Sequence, residues 1–261
     1  MALDPSMAVL ARRLWEARRD GTVLAKAGLA VPQTPELAYA VQAEAIRLSG
    51  AATRGFKVGS TSAEAQAKLG TTEPGSAPLL APSVHGSPAR IALVAANDAA
   101  LEAEIAFRLG RDLPPRSAPY DHAEVASAID AVAGAIEVVG SRIAGGLGGI
   151  GRFLSTADFG VNVALVVGAW HAEWRALDLK ALPVAMHIGG EPRGSGTGAR
   201  ALGDPMNVMV WLANQQSAMG RGLHKGEIVS TGTCTGLDPV RAGEVARASF
   251  GPLGTVEAAF A

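Results

Sequence analysis

The stretch LEAEIAFRLG, residues 101–110, decides the fold, because apolar and polar residues alternate along it with the period of two of a half-buried β-strand. Glu102 and Glu104 then point to the same face of that strand. Their backbone positions lie roughly 7 Å apart, at about 3.3 Å of rise per residue, so two long side chains can converge on one cation. An E-x-E pair is also typical of a solvated strand face, and both interpretations stay open at this point.

A third glutamate, Glu137, stands in the apolar run AVAGAIEVVG, residues 131–140, which predicts a strand buried on most sides. Burying an ionised carboxylate is costly unless it is paired or bound to a metal. The nearest partner in sequence is Arg142, which makes a structural ion pair one interpretation. If Glu137 instead packs beside Glu102 and Glu104, three negative charges need a counter-ion, and all-oxygen ligation favours Mg²⁺ or Mn²⁺ over zinc.

Outward from this stretch, the chain from residue 55 onward consists of short β-rich runs that Gly and Pro interrupt. Besides LEAEIAFRLG, the runs are GFKVG (55–59), ARIALVA (89–95), GAIEVVG (134–140), FGVNVALVVG (159–168), LPVAMHIGG (182–190), GEIVSTG (226–232) and GTVEAAFA (254–261). Helices are expected only at residues 121–130 and from Asp204 to Gly220. Because strands and helices do not alternate regularly, we predict an α+β fold whose core is a mixed β-roll or distorted barrel.

The first fifty residues predict helices instead. Asp4–Pro5 and Thr34–Pro35 each combine an N-cap residue with a first-turn proline, and apolar residues recur at helical spacing after both pairs. We therefore divide the chain into an N-terminal helical segment, residues 1–50, and a β-roll domain, residues 51–261.

Length and composition exclude several function classes. The 261 residues, 48% of them hydrophobic, can form a substantial core. The formal net charge of −1 does not indicate the excess of basic residues that nucleic-acid-binding proteins have. We therefore expect a small-molecule partner. The longest apolar stretch, residues 161–170, is much shorter than the roughly 20 residues that span a bilayer. Cys234 is the single cysteine, which fits a reducing cytoplasm, and we expect a cytoplasmic protein without a membrane partner.

Two further segments carry candidate binding groups. Lys57 lies in GFKVG, where Gly59 lets the backbone approach a ligand, so the lysine can hold an anion. A strand lysine that reaches solvent is the alternative. STGTCTG, residues 230–236, offers hydroxyl and backbone N–H groups to a carboxylate, although an ordinary turn would have the same pattern.

The order of the motifs carries a family resemblance. GFKVGSTSAEAQAKLG, LEAEIAFRLG, GAIEVVGSRI, STADFGVNVALVVG, ALGDPMNVMVWLANQ and GEIVSTGTCTG follow one another in a way that resembles the fumarylacetoacetate hydrolase superfamily. More narrowly, the chain resembles the branch that holds 2-oxopent-4-enoate hydratase and 4-oxalocrotonate decarboxylase. The likeness runs from about Tyr39 to the C-terminal LGTVEAAF, and such a collinear series is much more specific than any one motif.

The resemblance implies a catalytic β-roll, residues 51–261, that holds Mg²⁺ or Mn²⁺ through Glu102, Glu104 and Glu137. Lys57 matches the family lysine beside the substrate, and Asp158 of ADFGVN is retained as a second catalytic candidate. Members of the family generally form oligomers, so a homo-oligomer is expected. The candidate substrate-binding residues are Lys57, Gly59, Ser60, Thr231, Gly232 and Thr233.

The implied substrates are short 2-oxo or 2-hydroxydienoic acids from aromatic-compound degradation. We predict a metal-dependent lyase, a hydratase that adds water to a 2-hydroxy-2,4-dienoate of the 2-oxopent-4-enoate type. A 4-oxalocrotonate-type decarboxylase or an acylpyruvate-type C–C hydrolase would use the same carboxylates. Residues 81–85 and 158–162 depart from the family pattern at positions expected to touch substrate or the catalytic water. These departures motivate a further alternative, a non-catalytic partner subunit that binds a 2-oxo acid.

Overall fold

A computed structural model describes residues 3–261, so Met1 and Ala2 of the predicted N-terminal segment lie outside the described residues. Within that range the helices are α1 (Pro5–Asp20), α2 (Pro35–Ser49), α3 (Ala63–Leu69), α4 (His122–Ala128), α5 (Gly146–Gly149), α6 (Arg152–Ala157) and α7 (Pro205–Ala218). The strands are β1 (Thr53–Gly59), β2 (Gly75–Leu80), β3 (Val84–Gly86), β4 (Ala89–Ile91), β5 (Ala100–Leu109), β6 (Ile129–Val139), β7 (Asn162–Val167), β8 (Pro183–Ile188), β9 (Glu191–Thr197), β10 (Ile228–Thr233), β11 (Asp238–Pro239), β12 (Val245–Ser249) and β13 (Thr255–Phe260). No helix of these residues combines the length and apolar character needed to cross a membrane.

Two mixed sheets form the core. The larger has the order β2-β1-β10-β5-β6-β7-β3, with β11 also paired to β5, and the smaller has the order β4-β13-β12-β8-β9. β1 runs parallel to β10, whereas β5 runs antiparallel to both β10 and β6. Buried side chains from both sheets, such as Phe107, Ile136, Met186 and Val256, belong to one apolar cluster. The α+β fold with a mixed β-roll core is therefore confirmed.

The N-terminal helices begin as predicted. Asp4 accepts hydrogen bonds from the N–H groups of Ser6 and Met7, and Thr34 accepts one from the N–H of Leu37. The apolar stripes of α1 and α2 do not form a cluster of their own. They pack with buried residues of the chain between β6 and β7, among them Ile143, Ile150, Leu154 and Phe159. These helices thus support the segment that leads into β7.

Several element boundaries differ from the expectation. The predicted helix 121–130 ends at Ala128, because the chain enters β6 at Ile129. The run FGVNVALVVG becomes a strand only from Asn162, since Phe159 and Val161 have positive φ angles in a turn. Neither α3 nor the strands β2, β9 and β12 were predicted as such.

Candidate metal centre

The three glutamates meet across β5 and β6. In the antiparallel register Glu102 lies directly opposite Glu137, and Glu104 follows two residues later on the same face of β5. One carboxylate oxygen from each residue lies within 4.8 Å of the other two. Glu104 and Glu137 are fully buried and Glu102 is partly buried, so the alternative of a solvated strand face is wrong.

Glu104 is held by strand β10. The hydroxyl of Ser230 donates a hydrogen bond to Oε2 of Glu104, and the N–H of Gly232 donates another to the same oxygen at 2.9 Å. Gly232 has φ of +94°, and a Cβ there would lie 2.0 Å from Oγ1 of Thr61, so a side chain cannot be accommodated. In STGTCTG the hydroxyl of Ser230 and the N–H of Gly232 therefore bind the carboxylate of Glu104, a residue of the chain itself, and binding of a substrate carboxylate by this segment stays a prediction.

Glu137 has two partners, one on each oxygen. Nδ2 of Asn162 donates a hydrogen bond to Oε1 at 2.8 Å, and Nζ of Lys57 lies 3.2 Å from Oε2. Lys57 is only 4% exposed and also donates to the carbonyl oxygen of Gly160 at 3.2 Å. The lysine therefore does not reach solvent, and the cationic partner of Glu137 is Lys57 rather than Arg142, the residue suggested by sequence proximity.

The charges at this site are unbalanced. Burial raises the pKa of Glu102 to about 7, and burial together with repulsion from Glu137 and Glu102 raises the pKa of Glu104 well above its usual value. Burial opposes the charge of Lys57, but the three carboxylates outweigh it and raise the pKa of the lysine. Three carboxylates and one ammonium group leave two negative charges when all are ionised.

A divalent cation fits this arrangement. Oε1 of Glu104 is buried without a hydrogen-bond partner, and Oε2 of Glu137 has only the ammonium group of Lys57 nearby. The candidate ligands are all carboxylate oxygens, which suit hard cations. Glu102, Glu104 and Glu137 are the residues that would hold the ion, and its double positive charge would balance the two negative charges that remain beside Lys57.

Asp158 lies behind this site. Its Oδ1 is 2.6 Å from Nε of Arg142, and its Oδ2 accepts the N–H of Arg142 at 2.8 Å. Burial raises the pKa of Asp158, against the opposing charge of Arg142. Arg142 also donates to the carbonyl oxygen of Asn162 at 2.7 Å. The structure therefore connects Asp158 to the segment that carries Asn162 and gives it no place on the cavity wall.

A cavity of about 170 Å³ opens beside the carboxylates, with Glu102 on its wall. Five of the six predicted substrate-binding residues line it, namely Lys57, Gly59, Ser60, Gly232 and Thr233. Thr231 does not, because its buried hydroxyl donates to the carbonyl oxygen of Ile105 at 2.7 Å. Of the two departing segments, 158–162 contributes Gly160 and Val161 to the wall.

The other departing segment, residues 81–85, does not line this cavity, and its contact with substrate stays a prediction. The hydroxyl of Ser83 instead accepts a hydrogen bond from Nη2 of Arg18 at 2.8 Å. Nη1 of the same arginine donates to the carbonyl oxygen of Asn162 at 2.5 Å. Ser83 thus helps to hold α1 against the segment that carries Asn162.

Asn162 was missed from the sequence, and Ser230 was named only within STGTCTG, without Glu104 as its partner. Asn162 and Ser230 each bind one of the glutamates, and both side chains are buried. The available signal was a polar residue at the edge of an apolar strand, Asn162 in VNVALVV and Ser230 after GEIV. That signal marks a residue in need of a partner but does not identify the partner.

Comparisons with known proteins agree with this site and fold. The model of the fumarylacetoacetate (FAA) hydrolase C-terminal family matches residues 57–261. The chain is 34% identical over 255 residues to 2-keto-4-pentenoate hydratase of Paraburkholderia xenovorans (strain LB400), covering 96% of this chain and 93% of that protein. It is 33% identical over 239 residues to 2-hydroxyhexa-2,4-dienoate hydratase of Comamonas testosteroni, covering 89% of each.

Among solved structures, 4-oxalocrotonate decarboxylase from Pseudomonas putida G7, complexed with magnesium and adipate, superposes with a TM-score of 0.90 at 26% identity, covering 100% of this chain and 99% of that chain. The resemblance stated from the motifs is confirmed, since similarity extends over nearly the whole length of these proteins. The chain belongs to the fumarylacetoacetate hydrolase family, in the branch that holds the 2-keto-4-pentenoate hydratases and 4-oxalocrotonate decarboxylase.

Proposed function

We propose that the protein is a divalent-metal-dependent lyase that adds water to a 2-hydroxy-2,4-dienoate of the 2-oxopent-4-enoate type in aromatic-compound degradation. The observation that carries this proposal is the group of three carboxylates on β5 and β6, with Lys57 beside Glu137 and both Lys57 and Glu102 on the cavity wall. The hydratase names of relatives at 33–34% identity support the reaction. We propose Mg²⁺ or Mn²⁺ as the ion, in keeping with the oxygen ligands and the magnesium of the decarboxylase structure.

When bound, the cation supplies a Lewis acid that polarises the 2-oxygen of the substrate. Ser230 and Gly232 hold Oε2 of Glu104, which leaves Oε1 for the ion. Asn162 holds Oε1 of Glu137 in the same way. These hydrogen bonds fix the carboxylates before the ion arrives, as partners of ligating groups generally do.

Lys57 has a different role in this proposal. Its ammonium group stands beside Glu137 on the cavity wall and stabilises the negative charge that develops on the 2-oxygen when the 2-hydroxyl group of the dienoate loses its proton, before the far end of the diene gains one. The conjugated ketone formed in that step then adds water at the far alkene carbon. Val139 and Val161 line the same cavity and suit the hydrocarbon part of a dienoate.

We propose a positioning role for Asp158 in place of the direct catalytic role expected from the motif. Its partner Arg142 donates to the backbone of Asn162, and Asn162 donates to Glu137. Asp158 would thus act on the metal ligands through two intervening residues. The substrate-binding role proposed for Gly59, Ser60, Gly232 and Thr233 rests on their places in the cavity wall, whereas Thr231 would support β10 from behind.

Decarboxylation is the second candidate reaction, favoured by the TM-score of 0.90 to 4-oxalocrotonate decarboxylase over the full chain. The test is incubation with Mg²⁺ or Mn²⁺ and a panel of 2-hydroxydienoates, 2-oxo diacids and acylpyruvates. A hydratase consumes the dienoate absorbance without releasing CO₂, a decarboxylase releases CO₂, and a C–C hydrolase releases pyruvate. A protein that binds Mn²⁺ yet turns over none of these acids would be the non-catalytic partner subunit, and the hydratase proposal would fail.

We also propose that the chain forms a homo-oligomer, as the family resemblance implies. Exposed apolar side chains such as Val9 and Val31 are compatible with subunit contacts. Light scattering after size-exclusion chromatography measures the mass in solution, and a monomer would contradict the proposal. The cytoplasmic location expected from composition stays a prediction.

A further inference from the structure

The turn between α6 and β7 has an unusual backbone. Phe159, Gly160 and Val161 are three consecutive residues with positive φ angles, of +54°, +60° and +57°. Glycine adopts this left-handed region freely, but a residue with a branched β-carbon, such as Val161, does so rarely and at an energetic cost. A conformation of this kind persists only where the surrounding structure holds it. These three residues, here called the strained turn, therefore need partners elsewhere in the fold.

The strained turn meets the candidate metal centre at two points. The carbonyl oxygen of Gly160 accepts a hydrogen bond from Nζ of Lys57 at 3.2 Å. Asn162, the residue that follows the turn, donates through Nδ2 to Oε1 of Glu137 at 2.8 Å. Gly160 has no room for a side chain, because a Cβ there would lie 2.8 Å from Cβ of Ala77 and 3.3 Å from Cδ of Lys57. The shape of the turn thus sets where Lys57 and Glu137 find these hydrogen-bond partners.

Two arginines hold the strained turn. Nη1 of Arg18 donates to the carbonyl oxygen of Asn162 at 2.5 Å, and Nη1 of Arg142 donates to the same oxygen at 2.7 Å. Nη2 of Arg18 also donates to the carbonyl oxygen of Val163 at 3.2 Å. The guanidinium carbon of Arg18 lies 4.8 Å from the ring centre of Phe159, and that of Arg142 lies 5.6 Å from it, within the range of a cation–π contact. The turn is therefore held at its first residue and at the residue that follows it.

Arg18 binds neutral groups. Within residues 3–261 none of the ion pairs includes it, whereas Arg142 is paired with Asp158. Its further hydrogen bond goes to the hydroxyl of Ser83 at 2.8 Å. The apolar stripe of α1 is buried in a cluster of its own contacts, so the helix does not depend on Arg18 alone for its attachment. The donors of Arg18 are thus directed mainly at the backbone that leads from the strained turn into β7.

We propose that Arg18 is a positioning residue for the candidate metal centre, because it holds the carbonyl oxygen of Asn162 and thereby the shape of the strained turn. That shape presents Nδ2 of Asn162 to Glu137 and the carbonyl oxygen of Gly160 to Lys57. This role rests on the proposed function, since the ion that the glutamates would bind is the cofactor of the proposed hydratase. It gives the N-terminal helices, which contribute none of the described residues of the cavity wall, a part in metal binding.

The test is Mn²⁺ titration of the folded protein, followed by electron paramagnetic resonance, which reports both the free ion and the ligand symmetry of the bound ion. Arg18→Met should weaken Mn²⁺ binding by about 10-fold, the lower end of the loss seen when a group that orients a metal ligand is removed. It should also change the spectrum of the bound ion. Arg18→Lys should lose less, because an ammonium group can reach some of the same acceptors. Arg19→Met, at the exposed neighbouring position, should leave affinity and spectrum unchanged.

Leu10→Ala separates positioning from stability alone. Leu10 is a buried apolar residue of α1, so its loss should lower the urea midpoint at least as much as Arg18→Met while it removes no donor from the strained turn. Its Mn²⁺ affinity and spectrum should match those of the unaltered protein. If Leu10→Ala weakens binding as much as the Arg18 variants, or if every folded Arg18 variant binds Mn²⁺ normally, the positioning role is wrong and the proposed function stands. If the unaltered protein binds no Mn²⁺, the proposed function fails and the role fails with it.

Discussion

Nζ of Lys57 lies 3.2 Å from Oε2 of Glu137, and both side chains are buried in the sheet. The cation comes from β1 and the anion from β6, with β10 and β5 between those strands. This ion pair joins the candidate substrate site to the candidate metal site. A change at Lys57 should therefore affect both catalysis and the stability of the metal-free protein.

Lys57→Met should reduce kcat by about 10²- to 10³-fold, as loss of one group that stabilises developing negative charge generally does. It should also destabilise the metal-free protein by about 3 kcal/mol, because a buried carboxylate loses its partner. Mn²⁺ should offset much of that loss, since the ion supplies the missing positive charge. Urea unfolding with and without Mn²⁺ measures the difference. Lys225→Met, at an exposed position, is the control, and equal destabilisation in both conditions would contradict this account.

Glu104→Gln should weaken Mn²⁺ binding by more than the roughly 10- to 100-fold that loss of an outer hydrogen-bond partner costs. The amide keeps the size of the side chain but removes the negative charge. Isothermal titration calorimetry measures the affinity, and Glu191→Gln, an exposed strand residue, is the matched control. Unchanged affinity would show that Glu104 is not a ligand.

Asn162→Ala should weaken Mn²⁺ binding by about 10- to 100-fold, because Glu137 loses the donor that orients it. Asn207→Ala is a control of the same type, placed on α7. Asp158→Asn should have a smaller effect on affinity through Arg142. If Asp158→Asn abolished turnover while metal affinity and KM were unchanged, Asp158 would have a direct catalytic role after all.

Arg18→Met should lower the free energy of unfolding by about 1–3 kcal/mol, since the carbonyl oxygen of Asn162 keeps only Arg142 of its two donors and the hydroxyl of Ser83 loses the donor Arg18. Urea denaturation measures this, and the exposed variants Arg12→Met and Arg19→Met should be less affected. The same contact bears on the proposed division at residue 50. A chain that begins at residue 51 would lack Arg18 and half of the apolar cluster shared with Ile143 and Leu154, and we expect it to be insoluble. A folded, metal-binding fragment would support two independent units.

Cys234 should resist alkylation in the native protein. Burial raises the pKa of its thiol to about 12, and the nearby charge of Glu104 adds to the shift. The reactive thiolate is therefore scarce at neutral pH, and the side chain has no exposed surface. Mass spectrometry after iodoacetamide treatment should find Cys234 unmodified in native buffer and modified in urea. Fast labelling in native buffer would show that the end of β10, which Cys234 directly follows, separates readily from the neighbouring strands.

The sequence predicts a site best where neighbours in the chain are neighbours in space. Alternation in LEAEIAFRLG correctly puts Glu102 and Glu104 on one face, and the apolar run around Glu137 correctly indicates burial. The partner of Glu137 could not be read in this way. Arg142 is five residues away, yet Lys57 is the partner, because strand order and register bring together residues that are distant in the chain.

Short polar elements show the same limit. β9 reads EPRGSGT and has no fully buried residue and no large apolar side chain, so it lacks the apolar alternation that marks a strand. It pairs with β8 because the edge of that strand presents backbone N–H and C=O groups that need partners. The cavity residues Lys68 and Arg152 gave no signal either, since each is an ordinary cation on a short helix until the fold places both on one cavity.

β10 lies between β1 and β5 in the sheet, although it follows both by more than a hundred residues in the chain. During synthesis, Lys57, Glu102 and Glu137 leave the ribosome long before Ser230 and Gly232, which hold Glu104. Pairings of such long sequence separation form slowly. The nascent chain therefore cannot form an ion site of full affinity until β10 has paired with β1 and β5. The rate at which a refolding chain takes up Mn²⁺ would then report the rate at which this sheet is completed.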